Sequence, residues 1–299
     1  MLLRIDDTDP ARNLPGGEAA ILRDLAWLGI EWDEGPVRQS ERQDRYREAA
    51  AQLGGDRFGR TTLLREDDTA TYHLASVVDD IDFGITHVYR GNDHRPNEQL
   101  HRQLHEALGT PAPEYVHHGL ILGADGKKLS KRAAGATVQS LRELGIPSEA
   151  VRRYLDDLGI PRHDVHYDLP RIRRLAVDAI EAMTDDALAD HAGIPLSAVP
   201  VARGARDLEE ARRYAIEVLE PPPPSPTESP ATLERFKELA DGDPRAVLRE
   251  LKGVGGDLRA LRLALTGRDR GPELAAILAA LPKEEALRRV DQALQHTQS

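Results

Sequence analysis

The sequence predicts an α/β core followed by an all-α C-terminal region. In roughly the first 137 residues, short apolar runs of strand length alternate with runs whose apolar positions recur at helical spacing, which is typical of a parallel sheet. From about residue 138, helical spacing continues without further strands. The 299 residues and 40% apolar content allow a sizeable core and more than one domain.

The elements of the α/β core follow from these patterns. Residues 17–28 have the spacing of an amphipathic helix that ends at Gly29, and residues 71–78 are assigned to a buried strand because they are almost continuously apolar. The predicted strands are residues 1–5, 61–65, 71–78, 85–90 and 115–122, and the predicted helices are residues 17–28, 41–53 and 97–108.

A proline-rich segment divides the helical half. Residues 221–226 read Pro-Pro-Pro-Pro-Ser-Pro, which predicts a stiff, extended linker. We therefore predict three domains, covering residues 1–137, 138–220 and 221–299. The helices predicted beyond the core are residues 138–144, 148–158, 175–182, 184–192, 207–219, 231–240, 243–251, 257–265, 271–281 and 283–295.

Composition excludes several classes of protein. The chain has no cysteine, which excludes disulfides, thiolate catalysis and cysteine-ligated zinc. The net charge of -11 means that any contact with nucleic acid must come from local basic patches. No apolar run is long enough to cross a bilayer, and we expect a cytoplasmic protein without a membrane partner.

Lysines are concentrated in one loop. Half of them lie at residues 127–131, directly after the predicted strand at 115–122, and Ser130 and Arg132 lie among them. Lys128, Lys131 and Arg132 could close around a polyphosphate and stabilise its charge. A basic loop taken alone is more often a solvated turn.

Charged side chains also follow two of the predicted strands. Asp6, Asp7 and Asp9 lie at the edge where open α/β sheets bind ligands, and could hold a substrate ammonium group. The alternative is an acidic turn that caps a helix. Arg90 follows a later strand, where a planar guanidinium can grip a carboxylate at two points. A lone arginine in this place is usually a surface charge.

Three histidines raise the question of a metal site. His101 and His105 are one helical turn apart, and His94 is close by in sequence. The three match no known metal motif, and a solvated helix face accounts for them. We therefore predict no metal site.

Several segments together resemble the glutamyl-tRNA synthetases, a family of class I aminoacyl-tRNA synthetases. Residues 127–132 (KKLSKR) resemble the second signature loop of the class, and residues 4–9 (RIDDTD) resemble R-I-E-D-T-D. Residues 72–80 (YHLASVVDD) resemble Y-H/N-x-A-x-V-V-D-D, and residues 84–94 (GITHVYRGNDH) resemble G-I-T-H-V-I-R-G-E-D-H. Residues 265–273 (LTGRDRGPE) resemble part of A-L-T-G-R-x-x-G-P-E, near the anticodon-binding end of the family.

This resemblance implies a Rossmann-like catalytic core and a monomeric glutamate–tRNA ligase that uses ATP and Mg²⁺, with L-glutamate and tRNA(Glu) as its partners. It implies that Lys128 and Lys131 are the catalytic residues. The binding residues it implies are Asp6, Tyr72 and Arg90 for glutamate, Lys128, Ser130, Lys131 and Arg132 for ATP, and Arg268 and Arg270 for tRNA.

The sequence departs from the family pattern at four points. Asp6 stands where the family has Glu, and Asn92 replaces an acid. The family's H-I-G-H-type segment has no copy here, so we expect an N-terminally incomplete Rossmann-like core with the true start codon upstream of Met1. The family's acceptor-stem-binding insertion is largely missing between residues 53 and 61.

Two alternative functions stay open at this point. A shortened, inactive paralogue could act as a tRNA-binding or regulatory module. A relative of the glutamyl-queuosine tRNA synthetases would also lack large appendages, but the long helical half and residues 265–273 argue against it.

Overall fold

The computed structural model describes residues 1–9, 13, 15–130, 135–223 and 228–298. In this part of the chain, no helix combines the length and the apolar character needed to cross a membrane.

The chain divides into two compact units. The first comprises Met1–Ala133 and Leu158–Tyr167, and the second comprises Ala134–Asp157 and Asp168–Ser299. The three domains predicted from the sequence stay a prediction.

The first unit contains short strands that pair two at a time. Its elements are β1 (Leu2–Ile5), α1 (Gly17–Trp27), β2 (Glu34–Arg38), α2 (Gln43–Gln52), β3 (Arg57–Phe58), β4 (Thr61–Thr62), α3 (Tyr72–Asp82), β5 (His87–Gly91), α4 (Glu98–Ala107), β6 (Glu114–His118), β7 (Ile121–Leu122) and β8 (Val165–His166). The pairs β1–β2, β5–β6 and β7–β8 are parallel, and β3–β4 is antiparallel. The unit is thus of the α/β class, as predicted.

The core of this unit lies between α2, α3 and α4. The side chains of Tyr46, Leu63, Leu74, Val77 and Leu104 are all fully buried and belong to one apolar cluster. Fully buried side chains pack at close to crystalline density, so these three helices form a rigid layer next to β5.

The structure corrects the prediction of a strand at residues 71–78. This segment forms most of α3, in which Leu74, Ala75, Val77 and Val78 are all fully buried. A helix that is covered on almost every side has no polar face, so its apolar pattern cannot be distinguished from that of a buried strand.

The predicted strand at residues 115–122 is divided into β6 and β7. A Cβ atom at Gly119, between them, would lie 2.0 Å from the carbonyl oxygen of His163, so only glycine permits this close approach. The approach brings β8 alongside β7. The sequence did not predict β8, which at two residues is too short to show an alternating pattern.

The second unit is helical, which confirms the predicted all-α region. Its helices are α5 (Val138–Glu143), α6 (Ser148–Leu158), α7 (Leu169–Ala182), α8 (Asp185–Ala192), α9 (Val199–Ala202), α10 (Leu208–Leu219), α11 (Pro230–Leu239), α12 (Pro244–Gly253), α13 (Leu258–Thr266), α14 (Leu274–Ala280) and α15 (Lys283–Gln298). Asp168, Asp207, Asp243 and Asp257 accept hydrogen bonds from backbone N–H groups at the starts of four of these helices. Of the predicted linker, residues 221–223 have no regular structure, and residues 224–226 lie outside the described residues.

Candidate active site

Arg90 lies on β5 in the centre of a group of aromatic and imidazole side chains. In the parallel pair β5–β6, Arg90 is the register partner of His117. Its Nε donates a hydrogen bond to His117 Nε2 at 3.3 Å, and its Nη1 lies 3.4 Å from His101 Nδ1. Its Cζ lies 4.5 Å from the ring centroid of Tyr115, within the range of a cation–π contact.

The histidines around Arg90 are held in their neutral form. A guanidinium can only donate hydrogen bonds, so both histidine nitrogens that face it must accept. Burial and, to a smaller extent, the charge of Arg90 lower the pKa of His101 to about 3. Burial lowers the pKa of His117 as well. His101 therefore carries its proton on Nε2, which lies 3.1 Å from Nδ1 of His73.

Among the described residues, Arg90 retains one donor that no protein group satisfies. The side chain is half-buried, and its Nη2 is buried without a hydrogen-bond partner in that part of the chain. Asp80 interacts with Arg90 only through its charge. The unused donor therefore suits an anion that binds directly to the guanidinium.

Tyr72 lies in the first turn of α3 and borders the same group. Its ring centroid is 5.4 Å from that of His73 and 5.8 Å from that of His101. Because Arg90 also contacts His101, the structure brings together two of the three residues predicted to bind glutamate.

Asp6, the third of them, lies beyond β1 and is exposed. Its Oδ1 accepts a hydrogen bond from Arg4 Nε at 2.7 Å, and Arg4 Nη1 lies 3.8 Å from Oδ1 of Asp80. Burial raises the pKa of Asp80 to about 6, against the opposing charges of Arg4 and Arg90. Asp80 thus interacts electrostatically with Arg90 and with Arg4, the residue that donates to Asp6.

The lysine loop reaches the end of β5. Lys128 Nζ lies 2.6 Å from Oδ2 of Asp93, which belongs to the 3-10 turn directly after β5. This contact lowers the pKa of Asp93. Lys128 and Ser130 are both exposed. Lys131 and Arg132, the other predicted ATP ligands, lie outside the described residues.

Arg268 and Arg270 belong to the second unit. Both are exposed and line a surface cavity of about 580 Å³, in which Arg268 Nε lies 3.7 Å from Glu217 Oε1. The same cavity is lined by Arg206, Arg213 and Arg259. Glu210, Glu217 and Asp269 line it too and pair with four of these five arginines, so much of the positive charge is compensated.

Tyr115, His117 and Asp80 were not among the residues predicted from the sequence. The prediction that His101 and His105 lie on a solvated helix face was wrong, because both side chains are buried in a helix that packs against α3. His117 could have been found from the sequence by pairing the two predicted strands in parallel, because this pairing sets His117 beside Arg90. Among the described residues, no group of three histidine or acidic side chains is arranged to hold a metal ion.

Comparisons with known proteins identify the family. The catalytic-domain model of class I tRNA synthetases (E and Q) matches residues 1–55 and 52–168, and an anticodon-binding-domain model matches residues 245–294. The two catalytic pieces meet at the start of the segment where the sequence predicts a missing insertion.

Whole-chain relatives agree with these models. The chain is 32% identical to glutamate–tRNA ligase 1 of Rubrobacter xylanophilus over 388 aligned positions, covering 98% of this chain and 90% of the relative. It is 28% identical to glutamate–tRNA ligase 2 of a Chelativorans species, covering 99% and 92%. Its fold resembles that of a glutamate tRNA ligase of Elizabethkingia meningosepticum, with a TM-score of 0.74, 21% identity and coverage of 98% and 92%. From these matches in sequence and in fold, the chain belongs to the glutamate–tRNA ligase family of class I aminoacyl-tRNA synthetases.

Proposed function

We propose that this chain activates L-glutamate with ATP and transfers it to tRNA(Glu). The observation that carries the proposal is the half-buried side chain of Arg90, whose Nη2 is buried and has no hydrogen-bond partner among the described residues. Membership of the glutamate–tRNA ligase family supports the same activity.

Arg90 pairs with the side-chain carboxylate of glutamate in this proposal. The carboxylate supplies the missing counter-ion and an acceptor for Nη2, whereas the neutral amide of glutamine leaves the charge of Arg90 without a counter-ion. Tyr72 lies against the bound amino acid on the side of His101, and Asp6 holds its ammonium group. Asp6 is already paired with Arg4, so it can accept the ammonium without losing its own orientation.

Lys128, Ser130, Lys131 and Arg132 bind ATP, with Lys128 and Lys131 as the catalytic pair. The carboxylate of glutamate attacks the α-phosphate of ATP, and the two anions repel each other. Fixed positive charge lowers this barrier without a protein nucleophile. Mg²⁺ bound with ATP would neutralise further charge on the phosphates.

The helical part of the chain binds tRNA. Residues 138–220 contact its stem, and residues 221–299 bind the anticodon, which the match of residues 245–294 to an anticodon-binding domain supports. Arg268 and Arg270 provide contacts to phosphate or bases. The enzyme acts as a monomer in the cytoplasm.

Glutamate-dependent exchange of pyrophosphate into ATP, measured with tRNA(Glu) present, tests the proposal. The wild-type chain should show exchange and aminoacylate tRNA(Glu), and Arg90→Gln should lose affinity for glutamate by at least about 100-fold, as expected when a buried ion pair is lost. Arg95→Gln, at an exposed arginine in the 3-10 turn after β5, is the matched control and should leave the affinity unchanged.

The remaining outcomes distinguish the alternatives. Binding of tRNA without any exchange would identify the tRNA-binding paralogue and overturn the proposed activity. Exchange without aminoacylation of tRNA(Glu) would favour the glutamyl-queuosine type of enzyme.

A further inference from the structure

Two side chains of α4 reach the residues that hold Arg90. Arg102 Nη2 lies 2.8 Å from Glu98 Oε1, and its Nε donates to the same oxygen at 2.9 Å. The second oxygen of Glu98 lies 3.5 Å from His117 Nδ1. One carboxylate therefore connects a guanidinium and an imidazole from different elements.

The same residues meet again at Tyr115. The Cζ of Arg102 lies 5.0 Å from the ring centroid of Tyr115, and the Cζ of Arg90 lies 4.5 Å from it. With the hydrogen bond from Arg90 to His117, the contacts close into a ring of five side chains. In order around the ring, the members are Arg90, His117, Glu98, Arg102 and Tyr115.

Glu98 lies beside the nitrogen of His117 that carries the proton. Nε2 of His117 accepts from Arg90, so the neutral ring carries its proton on Nδ1, which is the nitrogen that faces Glu98. A carboxylate next to Nδ1 stabilises this tautomer, as carboxylates do for histidines that hold a second group. The His117 side chain is only 3% exposed, so water cannot replace the carboxylate.

Arg102 and Arg90 both approach one aromatic ring. The negative charge of Glu98 compensates for Arg102, which limits repulsion between the two guanidinium groups while both contact Tyr115. Without it, Arg102 has no charged partner among the described residues and is free to turn towards solvent.

We propose that Glu98 and Arg102 are positioning residues, which act through His117 and Tyr115 to orient the guanidinium of Arg90 for the side-chain carboxylate of the substrate. This inference rests on the proposed role of Arg90 in binding glutamate. It predicts that changes on α4, outside direct contact with the substrate, alter glutamate recognition and leave ATP recognition unchanged.

The test uses the full chain with tRNA(Glu) and measures both glutamate affinity by calorimetry and the kinetics of pyrophosphate exchange. Glu98→Leu should raise the KM for glutamate about tenfold, the effect of one lost charged hydrogen bond, with kcat and the KM for ATP unchanged. Glu98→Gln retains an acceptor oxygen for His117 but lacks the charge that pairs with Arg102, so its KM for glutamate should lie between those of the wild type and Glu98→Leu. Arg102→Met, at a more exposed site, should raise the KM for glutamate in the same way.

Glu106→Leu is the matched control, because Glu106 is an exposed residue of the same helix, two turns further on. It should behave as wild type. An unchanged KM for glutamate in both Glu98→Leu and Arg102→Met, with an active wild-type chain, overturns this inference and leaves the proposed function intact. Equal losses for glutamate and ATP also overturn it, since they indicate a general structural effect. A wild-type chain that does not bind glutamate overturns the proposed function and this inference together.

Discussion

The hydroxyl of Tyr46 donates a hydrogen bond to Oδ1 of Asp79 at 2.9 Å, and both side chains are fully buried. The same carboxylate accepts from Gln39 Nε2 and from Arg42 Nε, each at 2.9 Å. Asp79 thus connects α3 to α2 and to the segment before it. Since α3 also carries Tyr72 and Asp80, this buried carboxylate supports the geometry of the candidate active site.

Asp79→Asn should destabilise the protein by about 3 kcal/mol, because it removes the buried charge that Arg42, Tyr46 and Gln39 share and replaces an acceptor by an amide donor, although Arg42 keeps its contact with Asp82. Tyr46→Phe should cost less, about 1.5 kcal/mol, since it removes one hydrogen bond to a charged group. Urea unfolding monitored by circular dichroism gives both values. Glu48→Gln, at an exposed acid of the neighbouring helix α2, is the control, and an equal loss there would contradict the special role of Asp79.

Arg289→Met should destabilise the second unit by about 3 kcal/mol, because Arg289 is a buried cation with several carbonyl partners. Its Nη1 donates to the backbone oxygens of Val218 at 2.6 Å and Leu265 at 2.7 Å, which lie at the ends of α10 and α13. Such carbonyls lack partners within their own helix. Thermal unfolding of the variant and the wild type measures this loss. The neighbouring Arg288→Met, at an exposed residue paired with Glu285, should have little effect in the same experiment.

The sequence predicted the helices better than the strands. In α12, for example, Val247 and Leu251 recur at helical spacing and are buried, and Asp243 caps the start of the helix. These signals are local, so the sequence alone contains them. The assignment of α3 was wrong because its burial depends on α2 and α4, which pack around it.

The candidate site was predictable where it depended on single motifs. Arg90 was predicted to bind a carboxylate, and in the structure its Nη2 is buried without a hydrogen-bond partner among the described residues. Its partners were not predictable, because His117 and His101 come from different elements and reach Arg90 only through strand register and helix packing. A short sequence motif does not show which residues from other elements will contact it in the fold.

Lys128→Ala should lower kcat for pyrophosphate exchange about 100-fold. This is the usual effect of removing one group that stabilises the charge developing in a transition state. Its contact with Asp93 is exposed, so the unfolding temperature should hardly change. The neighbouring Lys127→Ala, also at an exposed residue, is the matched control in the same assay. If both variants lose activity equally, general loop charge rather than the position of Lys128 is responsible.

Asp80→Asn should stabilise the protein at pH 7.5. Burial raises the pKa of Asp80 from 3.8 to about 6, so the folded state binds a proton more tightly than the unfolded chain does. For an acid with a raised pKa, stability falls as the pH rises from about 4 to about 6, because the buried group must then ionise. The asparagine variant avoids this cost, and its gain in unfolding free energy should be on the order of 2 kcal/mol.

The dependence on pH separates this effect from a change in packing. At pH 4, where Asp80 keeps its proton in the folded state, the gain from Asp80→Asn should be largely lost, because an amide and a protonated carboxyl are both neutral. Urea unfolding of wild type and variant at pH 4, 5, 6 and 7.5 measures the trend. Asp82→Asn controls for the removal of one acid from α3. A gain that is the same at every pH would show that burial of the ionised Asp80 is not its cause.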